Sequence, residues 1–590
     1  MIIQEFDQTP FASGKGVSRG YAVGKAWVFL PHVHHHAEKS QGVEIETRRF
    51  KSAQKRVVQN IEKVIAQTRA EVGEHEAQIF EAHAMMVQDE ELTGPILSAI
   101  EKENVSAEVA LERAFRAQIE IFELAETEYL RERVLDLRDL KNQLLEELDP
   151  TEKTGLNKLL SPVILVAEDL TPSQTITMDR KNVLGMIIEK GGETSHTAIL
   201  ARTMGIPAIT GVANATRLFH AHDPIALDGE AGNIYIVKDT KTKEYFLQRS
   251  KHQHDERQRL LALRGKPTIT NDAHFVRLYG NIGSVADAQT AKDGDVEGVG
   301  LFRTEFLFMS RPQAPTLEEQ RQIYRDVLNT IAPNEVVIRT LDVGGDKPIP
   351  YIRIEKEENP FLGIRAFRYC LKDLDLFKTQ IKAMLLANEK GNLSVMIPMI
   401  SRASEAKQAT DLIRTCHEEL KGTSGYRAMP FKVGVMIEIP ALIFEMQELK
   451  ESVSFVSVGT NDLLQYSVAV DRMNPELQYL YSPYNLGFLR MMKLLAEEAA
   501  RAKLDVGICG ELGGKEDFIP LWLAMGYQKL SMIPSEVLNR RSLVGNLNLA
   551  RCRGLLQEVL AARDEKEVKF KLATFLKRER NRNETITVLD

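Results

Sequence analysis

Eight short apolar stretches set the fold of the second half of this chain: FVRLYGNIG (275–283), GVGLFRTEF (298–306), VVIRTLDVG (336–344), SVMIPMI (394–400), KVGVMIEIP (432–440), FVSVGTNDL (455–463), DVGICGE (505–511) and KLSMIP (529–534). Most are separated by segments long enough for a helical crossover, so they read as parallel strands of βα units. Eight such units in about 320 residues predict a (β/α)8 TIM-type barrel over 267–590. An open doubly wound sheet would not need so many strands. Polar residues gather at the C-terminal ends: Arg303 and Glu305, Arg339 and Asp342, Glu438, Asn461 and Asp462, Cys509 and Glu511. Barrels of this kind place their active sites on that face.

Outward from the barrel, residues 239–266 carry many charges and few core formers, which predicts a solvated linker helix. Before it, SPVILVAEDL (161–170) and NVLGMIIEK (182–190) read as buried strands, and DPIALDGEAGNIYIV (223–237) as a hairpin. GKGVSRGYAVGKAWVFL (14–30) alternates like strands joined by tight turns. Between these lies a helical block: Phe50, Val57, Ile61 and Val64, then Leu111, Phe115, Ile119 and Phe122, then Leu130, Val134, Leu137 and Leu144 recur at helical spacing. Gly94-Pro95 is expected to break the run. The whole reads as a multidomain α/β protein. An α/β domain of residues 1–40 plus 150–238 carries an inserted helical bundle over 41–149, and a linker leads to the barrel.

The 590 residues hold 43% hydrophobic and 27% charged side chains, an ordinary globular composition. A formal charge of -7, from 76 basic and 83 acidic residues, argues against a nucleic-acid binder. No apolar run is long enough to cross a bilayer, and MIIQEFDQTPF lacks the pattern of a secretory signal. Cys370, Cys416, Cys509 and Cys552 form no CxxC pair, a usage that fits reduced thiols in a cytoplasm.

The barrel-end residues suggest a chemistry. Arg303, Arg339 and Arg472 could converge on a polyanion, since the guanidinium fork matches phosphate and carboxylate oxygens. Glu438 and Asp462, at the ends of neighbouring strands, make a reasonable pair of hard ligands for Mg2+, which leaves its other positions to water and substrate phosphate. Lys347, in VGGDKP, could add positive charge beside two glycines. Cys509, between Gly507 and Gly510-Glu511, is either a small buried hydrophobe or a proton donor. Any one arginine could equally sit in a surface ion pair; several at equivalent strand ends weaken that alternative.

A second site lies in GGETSHTAILARTMGIPAITG (191–211). Thr194 or Ser195 is a natural N-cap for the helix HTAILART, which puts His196 in its first turn. There, unpaired backbone N–H groups and the positive helix end disfavour the imidazolium and would stabilise a transferred phosphoryl group. A neutral ring nitrogen is the nucleophile such a transfer requires.

These motifs resemble Enzyme I of the phosphoenolpyruvate-dependent sugar phosphotransferase system, the phosphoenolpyruvate-protein phosphotransferases, over nearly the whole length. GGETSHTAILAR resembles the family's phosphohistidine signature. GVGLFRTEFLFM, IRTLDVGGDK, ENPFLGIRAFR, GVMIEIPA, SVGTNDLLQYSVAVDR and ICGELGG resemble its barrel motifs, and YLRERVLDLRDL (129–140) the end of its partner-binding helical domain. The resemblance implies phosphorylation of His196 from phosphoenolpyruvate with Mg2+, release of pyruvate, and transfer to the histidine of the carrier HPr. It implies Arg303, Arg339 and Arg472 as phosphate and carboxylate ligands, with Lys347 and Arg365 assisting. Asn461 and Asp462 fall at substrate and metal positions, Glu438 at the other metal position, and Cys509 at that of the acid that protonates the enolate carbon. A swivelling phosphohistidine domain and a homodimer through the barrel are implied as well.

Other signals are weaker. Seven acids between Glu71 and Glu91, with Phe80, Met85 and Met86 among them, suit a small partner with a basic face, or else a solvated helix face. Glu193 departs from the small or basic residue expected beside the active histidine. His32, His34, His35 and His36 lack the carboxylates or cysteines of a metal site. GYAVGKA misses the P-loop spacing, and no segment is left for the nucleotide-binding domain that pyruvate phosphate dikinase or phosphoenolpyruvate synthase needs. The nitrogen-type paralogue, with a regulatory role, is the remaining alternative.

Overall fold

The structure, a computed structural model, describes residues 8–30, 40–71, 74–123, 128–148, 156, 159–179, 181–192, 195–309, 311–344, 349, 351–352, 354–355, 357–423 and 425–587. It divides into two compact units, Met1–Gln258 and Arg259–Asp590.

The first unit is built on an eight-stranded mixed sheet. Its strands are β1 (Ala12–Ser13), β2 (Lys15–Ser18), β3 (Tyr21–Phe29), β4 (Val163–Ala167), β5 (Val183–Ile188), β6 (Ala208–Thr210), β7 (Pro224–Asp228) and β8 (Asn233–Ile236). The order β1-β8-β7-β3-β4-β5-β6-β2 makes β3 and β4 parallel neighbours, although a whole helical bundle separates them in sequence. That bundle comprises α1 (Val43–Glu71), α2 (Glu74–Gln88), α3 (Glu90–Glu103), α4 (Ala107–Glu123) and α5 (Glu128–Leu148). Much of the predicted stripe is its core: Phe50, Val57, Ile61, Leu111, Phe115, Leu137 and Leu144 are buried together, Val64, Ile119 and Phe122 are partly buried against them, and the Leu130 side chain lies outside the described residues. After α6 (Pro172–Thr177) comes α7 (His196–Met204), then α8 (Ala215–Leu218) and α9 (Thr240–Leu261).

Two expectations are corrected here. Gly94-Pro95 does not break the chain, because α3 runs through Pro95 and the break falls at Asp89, whose carboxylate caps the Glu91 N–H. A proline there forgoes the bond to the carbonyl four residues back and crowds that carbonyl, a cost that burial of Leu92, Ile96 and Ile100 offsets. The linker helix is not solvated throughout: Phe246 is buried against Tyr21 and Tyr235, and Arg249 lies over the Tyr21 ring. The first turns of α9 are therefore part of the first unit's core.

The second unit is a closed barrel of eight parallel strands. They are β9 (Arg277–Ile282), β10 (Val299–Arg303), β11 (Val336–Arg339), β12 (Leu393–Ile397), β13 (Lys432–Ile437), β14 (Phe455–Val458), β15 (Asp505–Ile508) and β16 (Lys529–Met532). Each falls within one of the eight predicted stretches or overlaps it. β16 pairs back onto β9 in parallel register, so the sheet has no free edge. A single apolar cluster joins the outer faces of the strands to the surrounding helices, with Trp522, Tyr324 and Tyr527 among its largest buried members.

At the N-terminal face, Glu335 binds Lys529 at 2.8 Å, Lys432 at 3.0 Å and the Ser394 hydroxyl at 2.8 Å. Burial alone would raise the Glu335 carboxyl, but the Lys529 charge and these hydrogen bonds outweigh it and hold the group at about 2. A carboxyl lowered in the folded state gives stability that is present above its ordinary value of 4.5 and is lost as pH falls toward about 2. Glu335→Gln should therefore cost roughly 1–3 kcal/mol at pH 7. In thermal melts the gap to the unsubstituted protein should narrow below pH 4.5; a gap that stays constant to pH 3 contradicts this assignment.

Candidate functional site

The predicted barrel-end residues converge because each ends its strand or opens the helix after it. Arg303 and Arg339 are the last residues of β10 and β11 and are register partners, so their side chains stand beside each other. Glu438 follows β13, and Cys509 follows β15. Asn461 and Asp462 lie in the first turn of the helix Thr460–Val468. Arg303, Arg339, Asn461, Asp462, Arg472 and Cys509 all line one cavity of about 500 Å³ at the barrel mouth.

Guanidinium and carboxylate groups alternate there in one chain of contacts. Arg339 binds Glu305 at 2.6 Å and Asp342 at 3.0 Å. Asp342 also binds Arg365 at 3.1 Å, Arg365 binds Asp462 at 3.2 Å, and Asp462 faces Arg472 at 3.6 Å. Arg365 is completely buried, and a Cβ on Gly344 would approach its Cβ to 2.7 Å, so that glycine makes room for it. Burial works against both Arg339 and Arg365 as cations, but the neighbouring carboxylates outweigh it and raise both. Among the described residues Arg303 has no carboxylate partner, which leaves its guanidinium to an incoming anion.

Beneath this network two groups are held in particular protonation states. Glu438 is fully buried, and burial together with the charges of Asp462 and Asp342 raises its pKa against the pull of Arg365 and Arg339. Its Oε1 accepts the Met399 N–H, whereas its Oε2 is buried without a hydrogen-bond partner among the described residues. A buried acceptor with no donor, close to a second carboxylate, suits a hard cation such as Mg2+. Among the described residues no three His, Cys, Asp or Glu side chains form a complete metal cage, so water and substrate would supply the remaining ligands. Burial pushes the Cys509 thiol up to about 11, against hydrogen bonding from Ser457 and the Arg339 charge, so it is protonated at neutral pH.

The second site is built by capping. β5 leads to Gly191, whose φ of +92° favours glycine and where a Cβ would stand 3.1 Å from Ser195 Oγ. Ser195 caps α7 by accepting the Ala198 N–H at 3.3 Å, and His196 is the first residue of that helix. Ala198 and Ala201 pack toward the sheet, while Leu200 joins the core of the helical bundle. The helix bearing His196 is thus held on two sides. Lys347, Glu193, Thr194 and the histidines at 32, 34, 35 and 36 lie outside the described residues.

The chain is similar to known proteins over nearly its whole length. The model of the PEP-binding domain of PEP-utilising enzymes matches residues 257–549, that of their N-terminal domain 13–133, and that of their mobile domain 159–232. The phosphoenolpyruvate-protein phosphotransferase of Bacillus subtilis (strain 168) is 36% identical over 94% of this chain and 98% of its own length. That of Mycoplasma pneumoniae is 37% identical over 96% and 98%. A solved structure described as Enzyme I shares 34% identity over 41% of this chain and 100% of that one, with a TM-score of 0.36.

The chain belongs to the phosphoenolpyruvate-protein phosphotransferase family. It is therefore an enzyme, a transferase. For this phosphotransferase the residue pattern alone named most of the barrel-mouth side chains. It did not assign Asp342, which holds two arginines at once, or Tyr466, whose hydroxyl contacts Arg365 at 3.3 Å and donates to the Phe361 carbonyl at 2.6 Å. An acid three residues past Arg339 was the available signal for Asp342.

The buried, protonated state of Cys509 has a direct readout. At pH 8 a charged disulfide reagent should leave Cys509 unlabelled in the native protein, while all four thiols react in guanidinium chloride. Prompt labelling of native Cys509 contradicts the burial and the raised pKa.

Proposed function

We propose that this phosphotransferase phosphorylates itself on His196 from phosphoenolpyruvate, releases pyruvate, and passes the phosphoryl group to the histidine of HPr as the first step of sugar uptake in the cytoplasm. The observation that carries this reading is the alternating guanidinium network at the barrel mouth, with Arg303 left over for an anion. Arg303, Arg339 and Arg472 would bind the phosphate and carboxylate of the substrate, with Arg365 and Lys347 holding the surrounding charge. Asn461 would orient the substrate. Glu438 and Asp462 would hold Mg2+, which supplies charge neutralisation on the phosphate when bound.

In the step itself, a neutral ring nitrogen of His196 attacks phosphorus, and the bond from phosphorus to the enol oxygen breaks. The arginines stabilise the charge that spreads over the transferring oxygens. The enolate carbon then takes the proton of the Cys509 thiol, and pyruvate leaves. His196 stands on α7 in the first unit and the arginines in the second, so the reading requires a swivel that carries the histidine between barrel and carrier.

The acidic stretch of the helical bundle supports HPr docking there. Met85 is 72% exposed beside Glu81, Asp89, Glu90 and Glu91, while Phe80 faces the core, which narrows the predicted apolar contacts. The side chains of Glu71, Glu74 and Glu76 lie outside the described residues. Exposed Phe444 and Tyr479 on the barrel support a homodimer through that unit.

Purified protein mixed with phosphoenolpyruvate and Mg2+, without ATP or carrier, should release about one pyruvate per chain in a single-turnover assay. Chelation of the metal or His196→Ala should abolish the release. Full release from His196→Ala would overturn the assignment of the nucleophile.

A further inference from the structure

An acid that protonates a planar enolate has to be held over one face of it. β15 ends at Ile508, whose pairing with Leu530 is its last on β16, so the Cys509 peptide lies past the ladder on that side. On the other side the Val458 carbonyl, at the end of β14, accepts the N–H groups of Cys509 at 3.1 Å and Gly510 at 3.2 Å. The Cys509 thiol donates to the same oxygen at 3.5 Å. A carbonyl oxygen has two lone pairs, and the two N–H groups already engage them. The thiol contact is therefore weak, and the thiol can turn to the mouth cavity that Cys509 lines.

The Cys509 carbonyl is held from a distant strand. Asn281 Nδ2, on β9, donates to it at 2.9 Å across 228 residues of sequence. Leu278 and Ile282 of β9 belong to the outer apolar cluster, so strand alternation puts Tyr279 and Asn281 on the inner face. Leu301, Val337, Met396, Met436 and Phe455 make that interior apolar around Cys509, and an apolar residue at 281 would match them. Asparagine instead leaves its Oδ1 buried without a hydrogen-bond partner among the described residues. An orphaned oxygen costs stability, and the amide donor to Cys509 is what the fold gains in exchange. Gly510, next in the chain, presses on the helix Thr460–Val468: a Cβ there would stand 2.0 Å from Thr460 Oγ1 and 2.6 Å from the Thr460 nitrogen. The turn that carries the thiol is thus clamped between β9 and the helix that bears Asn461 and Asp462.

We propose that Asn281 is a positioning residue for the protonation step: its amide holds the Cys509 carbonyl and so keeps the thiol over one face of the enolate. A C–H bond forms at the methylene carbon from that face as the S–H bond breaks, pyruvate leaves, and water reprotonates the thiolate. Without the amide the turn relaxes and the thiol loses its aim. Enolpyruvate then departs and ketonises in solution, where water protonates either face. The inference rests on the reading of Cys509 as the acid.

The test follows the configuration of the product methyl group. The full chain with Mg2+ receives phosphoenolpyruvate bearing one deuterium at a defined position of the methylene carbon, in tritiated water, and pyruvate is trapped at once by reduction to lactate. The unsubstituted protein should give methyl groups of one configuration. Asn281→Ala, and Asn281→Leu, which fills the site without a donor, should give mixed configurations and release pyruvate about 10-fold or more slowly. Placed in the His196→Ala protein, each should bind phosphoenolpyruvate with Mg2+ within about twofold of that protein alone. One configuration from the Asn281 variants, at whatever rate, overturns the proposal. Loss of substrate binding in both overturns it too, since Asn281 would then support the whole mouth. A Cys509→Ala protein that releases pyruvate of one configuration undiminished would instead remove the underlying reading of Cys509.

Discussion

The barrel mouth depends on one constraint: several guanidinium groups must be held close together in a poorly hydrated place before any anion arrives. Like charges at such distances repel, and burial adds a desolvation cost. The chain meets both by alternation, with Glu305, Arg339, Asp342, Arg365, Asp462 and Arg472 each touching the next. Asp342 is central because one carboxylate fixes two arginines, Arg339 at the end of β11 and Arg365 in a later segment. The network is rigid at its base, where Arg365 is wholly buried, and open at its rim, where Arg303 has no carboxylate partner among the described residues.

The same arrangement sets the protonation states beneath it. Glu438 is raised by burial and by its carboxylate neighbours, and its Oε2, which has no hydrogen-bond partner among the described residues, matches what a divalent cation would take up. Cys509 is kept a thiol by burial within the barrel's apolar layer. In the proposed reaction the arginines would steady the leaving charge and Cys509 would supply the product's proton, and both line one cavity.

Much of this was legible in the sequence for a physical reason. Strands of a parallel barrel are buried on both faces, so they appear as apolar runs, and a charged residue just beyond each run is conspicuous. The place of His196 at the start of a helix was legible because a capping serine and flanking glycines act locally. What the sequence hid was long-range. That Phe246 packs on Tyr21, that Asp342 joins Arg339 to Arg365, and that Asn281 reaches the Cys509 carbonyl all follow from contacts between distant segments. Pro95 misled because its local tendency to end a helix is weaker than the burial of the apolar face around it.

The central claim is that the carboxylates preorganise the arginines for the substrate. Calorimetric titration of phosphoenolpyruvate with Mg2+ into the His196→Ala protein, with and without Asp342→Asn, tests it most directly. The account predicts that His196→Ala binds the substrate, and that adding Asp342→Asn weakens binding by about 10-fold or more, the loss expected when buried charges lose their partner. Unchanged affinity in the double variant would contradict it.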